Sequence, residues 1–195
     1  MRVENLGKRF GFEWIFRHLN AHFQPNKRYA IVGANGSGKS TLMKILAGML
    51  LPSEGSIDYN VDKENIFKHI AFAAPYMELI EEFSVLELVQ LHCQLKPLRV
   101  DIKEFFSAVQ FEKVQHRRVS YLSSGMKQKL RIALALFSQA PILLLDEPTT
   151  NLDAANAQWF KEQLQSQQQR IIIIASNLSE EIELCSEHIC IENFK

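Results

Sequence analysis

The chain has 195 residues, 47% of them hydrophobic, which fits one domain, or one domain carrying a subdomain, around a real core. Its 22 basic and 22 acidic residues cancel, so no global field draws it to nucleic acid or to an anionic membrane. No run approaches the roughly 18 apolar residues of a membrane span, and Met1-Arg2-Val3-Glu4-Asn5 lacks the apolar centre of a secretion signal, so a cytoplasmic location is expected. The three cysteines, Cys93, Cys185 and Cys190, have no metal-ligand spacing and read as reduced, mostly packed thiols.

In chain order, residues 2–23 partly alternate in polarity and predict two antiparallel strands around a turn at Gly11. Residues 28–32 predict a short buried strand, and residues 41–47 an apolar-faced helix stopped near Gly48. Residues 51–56 are turn chemistry, followed by short strands at 57–59 and 70–73. From Pro75 to Val119 the spacing becomes helical. Residues 85–95 end before Pro97, and residues 101–109 open on an acidic N-cap. Ser123 is placed to cap a helix that runs to about Phe137. Residues 142–145 and 171–174 are wholly apolar, as strands buried on both faces of a parallel sheet are. Helices at 156–168 and 180–185 and a last strand at 188–191 complete the pattern. The Gln-rich run from Gln163 to Gln169 reads as the exposed end of a helix. Lys127-Gln128-Lys129-Leu130-Arg131 and His116-Arg117-Arg118 read as solvated helix face or loop. Alternating strands and helices with apolar strands predict an α/β architecture.

Two motifs carry chemistry. Gly33-Ala34-Asn35-Gly36-Ser37-Gly38-Lys39-Ser40 fits the phosphate-binding loop G-x-x-x-x-G-K-[ST], between a strand and a helix as that pattern requires. Glycines let the backbone curl round an anion, and successive N–H groups and the helix N-terminus then point at it. Lys39 can reach β- and γ-phosphates, and the Ser40 hydroxyl can ligate Mg²⁺. The second motif is Asp146-Glu147, at the end of the apolar strand 142–145, where an α/β sheet opens to ligands. Asp146 is placed to hold Mg²⁺ directly or through water. Glu147, pointing elsewhere, is suited to take a proton from a water aligned with the γ-phosphate.

Asp146-Glu147-Pro148-Thr149-Thr150-Asn151-Leu152-Asp153, together with Leu122-Ser123-Ser124-Gly125-Met126 upstream and the loop at Gly33, resembles the ATP-binding cassette (ABC) ATPases, in the right order along nearly the whole chain. The resemblance implies a P-loop NTPase (RecA-like) core with a parallel central sheet, an N-terminal antiparallel β subdomain and an inserted α-helical subdomain. Residues 1–74 and 120–195 would form the core and 75–119 the insertion. It further implies that Gly33 to Thr41 bind the phosphates of ATP, with Asp146 at the metal and Glu147 as base. Ser123, Ser124, Gly125 and Met126 would form a signature that serves ATP held by a second cassette. Asp153 would lie in a loop at the dimer interface, and Phe10, with Phe12 as substitute, would stack on adenine.

The chain departs from the family pattern at three places. Ser124 and Met126 stand where the signature usually has glycine and glutamine. Pro75 stands where a glutamine usually follows the strand, with Tyr76 and Glu78 as the polar side chains nearby in sequence. Asn177, with Ser176 next, stands where a histidine usually contacts the γ-phosphate. Asparagine can donate to phosphate but cannot become cationic, so slower hydrolysis is expected rather than lost binding. The expected function is the ATP-hydrolysing subunit of an ABC transporter, paired with a second copy or related cassette and with a transmembrane permease subunit at the inner face of the cell membrane. Apolar residues of the helical block, Phe83, Leu86, Phe105 and Phe106, are contact candidates for that partner, although packing within the block explains them more simply. The alternatives are a soluble non-transport ABC ATPase and a cassette with slow turnover; a nucleic-acid partner is not expected.

Overall fold

The alternating segment at the start of the chain folds as a hairpin. Strands β1 (Arg2–Phe10) and β2 (Glu13–His22) pair antiparallel around the turn at Gly11, and bury Val3, Leu6, Phe16 and Leu19 on one face. A third strand, β4 in chain order (Glu54–Asp58), pairs antiparallel with the other edge of β1. It begins three residues before the predicted strand at 57–59 and takes in part of the predicted turn. Its pairing partner is about fifty residues away in sequence, so local turn chemistry could not reveal it.

In the computed structural model, which describes residues 1–61 and 65–195, the chain divides into two compact units. The first comprises Met1–Phe72, Pro141–Glu147 and Gln168–Lys195. Besides the antiparallel sheet it holds a second sheet of β3 (Arg28–Val32), β5 (Ile70–Ala73), β6 (Ile142–Asp146), β7 (Ile171–Ala175) and β8 (Glu187–Cys190), in the order β5-β6-β7-β3-β8. The β6–β7, β7–β3 and β3–β8 pairs run parallel, and β6 and β7 are buried at every position. The two all-apolar runs thus sit inside the sheet, as a strand covered on both faces must. Helix α1 (Lys39–Leu46) packs Leu42, Met43, Ile45 and Leu46 into the core and meets β6 and β7. A short helix α2 (Ile66–His69), absent from the sequence reading, leads into β5. The register sets Asp146 opposite Ala175, so the acidic pair emerges where β6 ends.

The second unit comprises Ala73–Ala140 and Pro148–Gln167. It takes in α3 (Val85–Leu95), α4 (Ile102–Val109), α5 (Ser124–Phe137) and α6 (Ala154–Gln165), so the compact body holds α5 and α6 as well as the 75–119 block. Its helix starts are strongly specified. Ser84 with Glu87 and Asp101 with Glu104 form complete capping boxes on α3 and α4, each cap worth about 1 kcal/mol. Phe105 lies edge-on to Phe106 and Phe137, at 5.8 and 5.5 Å, and the Trp159 indole donates to the Ala108 carbonyl at 2.8 Å. Phe105 and Phe106 are therefore core residues, while Phe83 and Leu86 are half-buried. Helix α6 starts two residues before the prediction because Asp153 caps it, and it ends at Gln165, so only the first part of the Gln-rich run is helical. A last short helix, α7 (Ser179–Ile182), belongs to the first unit and stops before Cys185.

Candidate functional site

In the first unit, β3 runs into the phosphate loop and α1 begins at Lys39. Gly38, the residue before it, has φ +109°, and an added Cβ would stand 2.5 Å from Ile15 Cγ2. Any side chain here is both strained and obstructed. Helix α1 has no side-chain cap and no acidic residue in its first turn, so its leading N–H groups keep their capacity for an anion. The Ser37 hydroxyl is buried and has no hydrogen-bond partner among the described residues. Lys39 is 5% exposed, and its ammonium folds back to donate to the carbonyls of Gly33 (2.8 Å) and Ala34 (3.1 Å). Ala34 accepts a further bond from the Ser37 N–H at 3.1 Å, and its own N–H donates to Glu192 Oε1 at 3.0 Å.

A cavity of about 250 Å³ opens over this loop, lined by Ile15, Asn35, Gly36, Gly38, Lys39, Ser40, Thr41 and Glu147. Glu147 has a left-handed backbone, φ +43°, uncommon for a residue with a Cβ, and its N–H donates to the Ala175 carbonyl at 2.9 Å. Asp146 before it is 1% exposed. Asn177 is exposed, and its amide donates to Asn35 Oδ1 at 2.9 Å. The phosphate loop, Glu147 and Asn177 are thus gathered at one place. Phe10 is not among the lining residues. It ends β1, 53% exposed, with the Lys8 ammonium 5.0 Å from its ring centroid, while Phe12 is 98% exposed in the turn. The curled backbone, the unpartnered Ser37 hydroxyl and the Lys39 ammonium suit a polyphosphate. The Ser40 hydroxyl and Asp146 carboxylate are hard oxygen donors of the kind Mg²⁺ takes.

In the second unit, Ser123 caps α5: its Oγ accepts the Met126 N–H at 3.2 Å, leaving its own proton free to be donated elsewhere. A Cβ on Gly125 would stand 2.8 Å from the Asn151 carbonyl oxygen, so glycine is needed here for close approach of two backbones. Ser124 is exposed and Met126 half-buried. Asp153, exposed, spends its Oδ1 on the Asn156 N–H at 2.8 Å. Pro75 is half-buried in the turn after β5, closed by Met77 N–H to the Ala74 carbonyl at 3.1 Å.

The run from Lys127 to Arg131 is not the solvated helix face its charge suggests. Lys127 pairs with Glu81 at 2.5 Å, and Lys129 is 4% exposed, 4.7 Å from the Trp159 ring centroid and 5.9 Å from that of Phe111. Burial pulls the Lys129 ammonium below the ordinary lysine range, against the opposing pull of Asp153. Arg131 donates to the Met77 carbonyl at 2.5 Å. His116, Arg117 and Arg118 are exposed, as read. Sequence reasoning missed Ile15, Glu192 and Arg131. Each reaches its site through a contact between distant segments, and no local motif marks it.

A family model described as ABC transporter matches residues 16–150. The chain is 34% identical over 192 residues to the uncharacterized ABC transporter ATP-binding protein YybJ of Bacillus subtilis, covering 93% of this chain and 87% of that protein. It is 30% identical over 196 residues to the lantibiotic transport ATP-binding protein SrtF of Streptococcus pyogenes, covering 97% and 85%. Among solved structures, one titled as the ATP binding subunit of an ABC transporter superposes with TM-score 0.88 at 21% identity, covering 98% of this chain and 85% of that one. The dimeric structure of MJ0796, described as a bacterial ABC transporter cassette, superposes with TM-score 0.83 at 23% identity, covering 97% and 93%. These superpositions establish the expected fold.

Proposed function

The chain belongs to the ABC transporter family, and we propose that it is the ATP-binding and ATP-hydrolysing subunit of a transporter, working with a second cassette (its own copy or a related one) and a separate transmembrane permease. The observation that carries this reading is the single cavity lined by Gly38, Lys39, Ser40 and Glu147. Peptide N–H groups from Gly33 to Thr41 would cradle the triphosphate, and Lys39 would exchange its two carbonyl partners for β- and γ-phosphate oxygens. Ser40 and Asp146 would hold Mg²⁺, which when bound neutralises charge on the phosphates. Glu147 would orient a water on the γ-phosphate and accept its proton. Ser123, Ser124, Gly125 and Met126 would present the start of α5 to ATP on the other cassette, with Asp153 in the loop between the two copies. Phe10 is the proposed adenine contact. Among the described residues no helix is long and apolar enough to cross a membrane; the subunit would be peripheral, held at the inner face of the cell membrane by its partner.

Turnover is expected to be slow for the family. Asn177 already holds Asn35 of the phosphate loop and can offer the γ-phosphate a neutral donor only. The decisive variant is Glu147→Gln. Hydrolysis should fall by about a hundredfold or more, the span of a general base, while MgATP binding persists and gel filtration shows an ATP-dependent dimer. Undiminished hydrolysis in that variant, together with undiminished MgATP binding in Lys39→Ala, would refute the reading.

A further inference from the structure

Helix α5 carries a set of contacts that its signature end does not explain. Arg131 Nε donates to the Met77 carbonyl at 2.5 Å, and Arg131 Nη1 donates to Gln128 Oε1 at 3.3 Å. Gln128, 1% exposed, donates from Nε2 to the Pro148 carbonyl at 3.1 Å. Three hydrogen bonds therefore run in series from the turn after β5, where Pro75 stands, to the residue covalently joined to Glu147.

The chemistry of the series makes it stiff. Both of its ends are main-chain carbonyls, so it registers backbone position and needs no particular side chain at residue 75. Gln128 uses its amide oxygen toward Arg131 and its amide nitrogen toward Pro148, so turning the amide over breaks both bonds at once. A buried amide left half-satisfied is costly, so the linkage holds or fails as a unit. Partial burial lowers the Arg131 guanidinium pKa, and the nearby Glu81 carboxylate works against that shift. Glu81 in turn holds Lys127, one residue before Gln128. Tyr76 and Ile80, on either side of Met77, are 44% and 40% exposed, so the outer end of the series lies at the surface of its unit.

We propose that Arg131 and Gln128 are positioning residues for hydrolysis, forming a relay that ties the main chain at Met77 to that at Pro148 and thereby sets how Glu147 is held. The proposal rests on the reading of Glu147 as the base.

The test uses the purified full chain and its Arg131→Ala and Arg131→Lys variants, with two readouts. In ATP hydrolysis, Arg131→Ala should lower kcat by about tenfold while KM stays within about twofold, as expected when a reacting group is misplaced and binding is not. Arg131→Lys, which keeps one donor for Met77 and loses the fork, should recover part of that loss. In amide hydrogen exchange without nucleotide, Arg131→Ala should speed exchange both at residues 76–80 and at residues 149–152. A folded Arg131→Ala with unchanged kcat overturns the relay, as does faster exchange at 76–80 with 149–152 unaltered. If the unaltered chain hydrolyses no ATP, the functional reading fails, and the exchange pattern still decides the relay.

Discussion

Two helix N-termini in this molecule, those of α1 and α5, follow small residues, yet they are finished differently. At α1 the preceding residue is Gly38, left-handed and without a side chain to cap anything. At α5 it is Ser123, whose hydroxyl already satisfies the Met126 N–H. The helices α3, α4 and α6 are capped by Ser84, Asp101 and Asp153 in the same manner as α5. Among these longer helices α1 alone is left open. An uncapped N-terminus is a local deficit of hydrogen bonds, and it persists where a ligand supplies the missing acceptors. The start of α5, closed on itself, offers less: one hydroxyl proton and the helix dipole. It is therefore suited to a phosphate already held by another loop and poorly suited to capturing one unaided.

Gly38→Ala breaks this comparison most severely. It forces a Cβ into φ +109° and to 2.5 Å from Ile15 Cγ2. Left-handed strain costs about 1–3 kcal/mol before the collision is counted, and reshaping the loop should cost about a hundredfold in MgATP affinity, or about 2.7 kcal/mol. Calorimetry with MgATP reads it directly. Adding Ile15→Ala removes the collision and leaves the strain, so it should restore only part of the affinity. Full restoration would mean that the glycine is required for space alone.

Ser123 sharpens the comparison from the other side. Ser123→Ala removes the cap and should cost about 1 kcal/mol of stability. Ser123→Asp keeps a capping oxygen, so the melting temperature should stay near that of the unaltered chain. It also places a carboxylate where the partner's phosphate would arrive, so the ATP-dependent dimer formed in a Glu147→Gln background should be lost. Persistence of that dimer in the Asp variant would show that the start of α5 faces no phosphate.

The same contrast explains what could be read in advance. Strands β3, β6 and β7 and helices α1, α3, α4 and α5 are written in periodicity and caps, which are local, and the phosphate loop and Asp146-Glu147 are written in spacing. The start of β4 was hidden because it depends on pairing with β1. Asp153 looked like a loop residue, and its role as the cap of α6 becomes clear only with the helix in place. The basic run on α5 was misread because Glu81, Trp159 and the Met77 carbonyl, which absorb its three charges, come from segments far away in sequence. Net charge and local charge density carry no record of such partners.

Glu192 is the subtlest case. Strand β8 delivers the fully buried Ile191, and the next residue places its carboxylate on the Ala34 N–H at 3.0 Å. The Ala34 carbonyl is held by Lys39 and by the Ser37 N–H. The N–H and the carbonyl of Ala34, which belong to successive peptide groups, are thus both tethered, the carbonyl in part by an ammonium that would leave if phosphate bound and the N–H by a carboxylate that need not. If Lys39 turned to a phosphate, as proposed, Glu192 would be the tether from outside the loop that keeps the first bend in place. Glu192→Ala should weaken MgATP binding by about threefold to tenfold, the worth of one net hydrogen bond. Glu192→Gln keeps an acceptor and should stay within about twofold, because the lost charge is exposed and screened. Equal weakening in both variants would assign the effect to charge, and no change in either would mean that the loop holds its bend through its internal contacts alone.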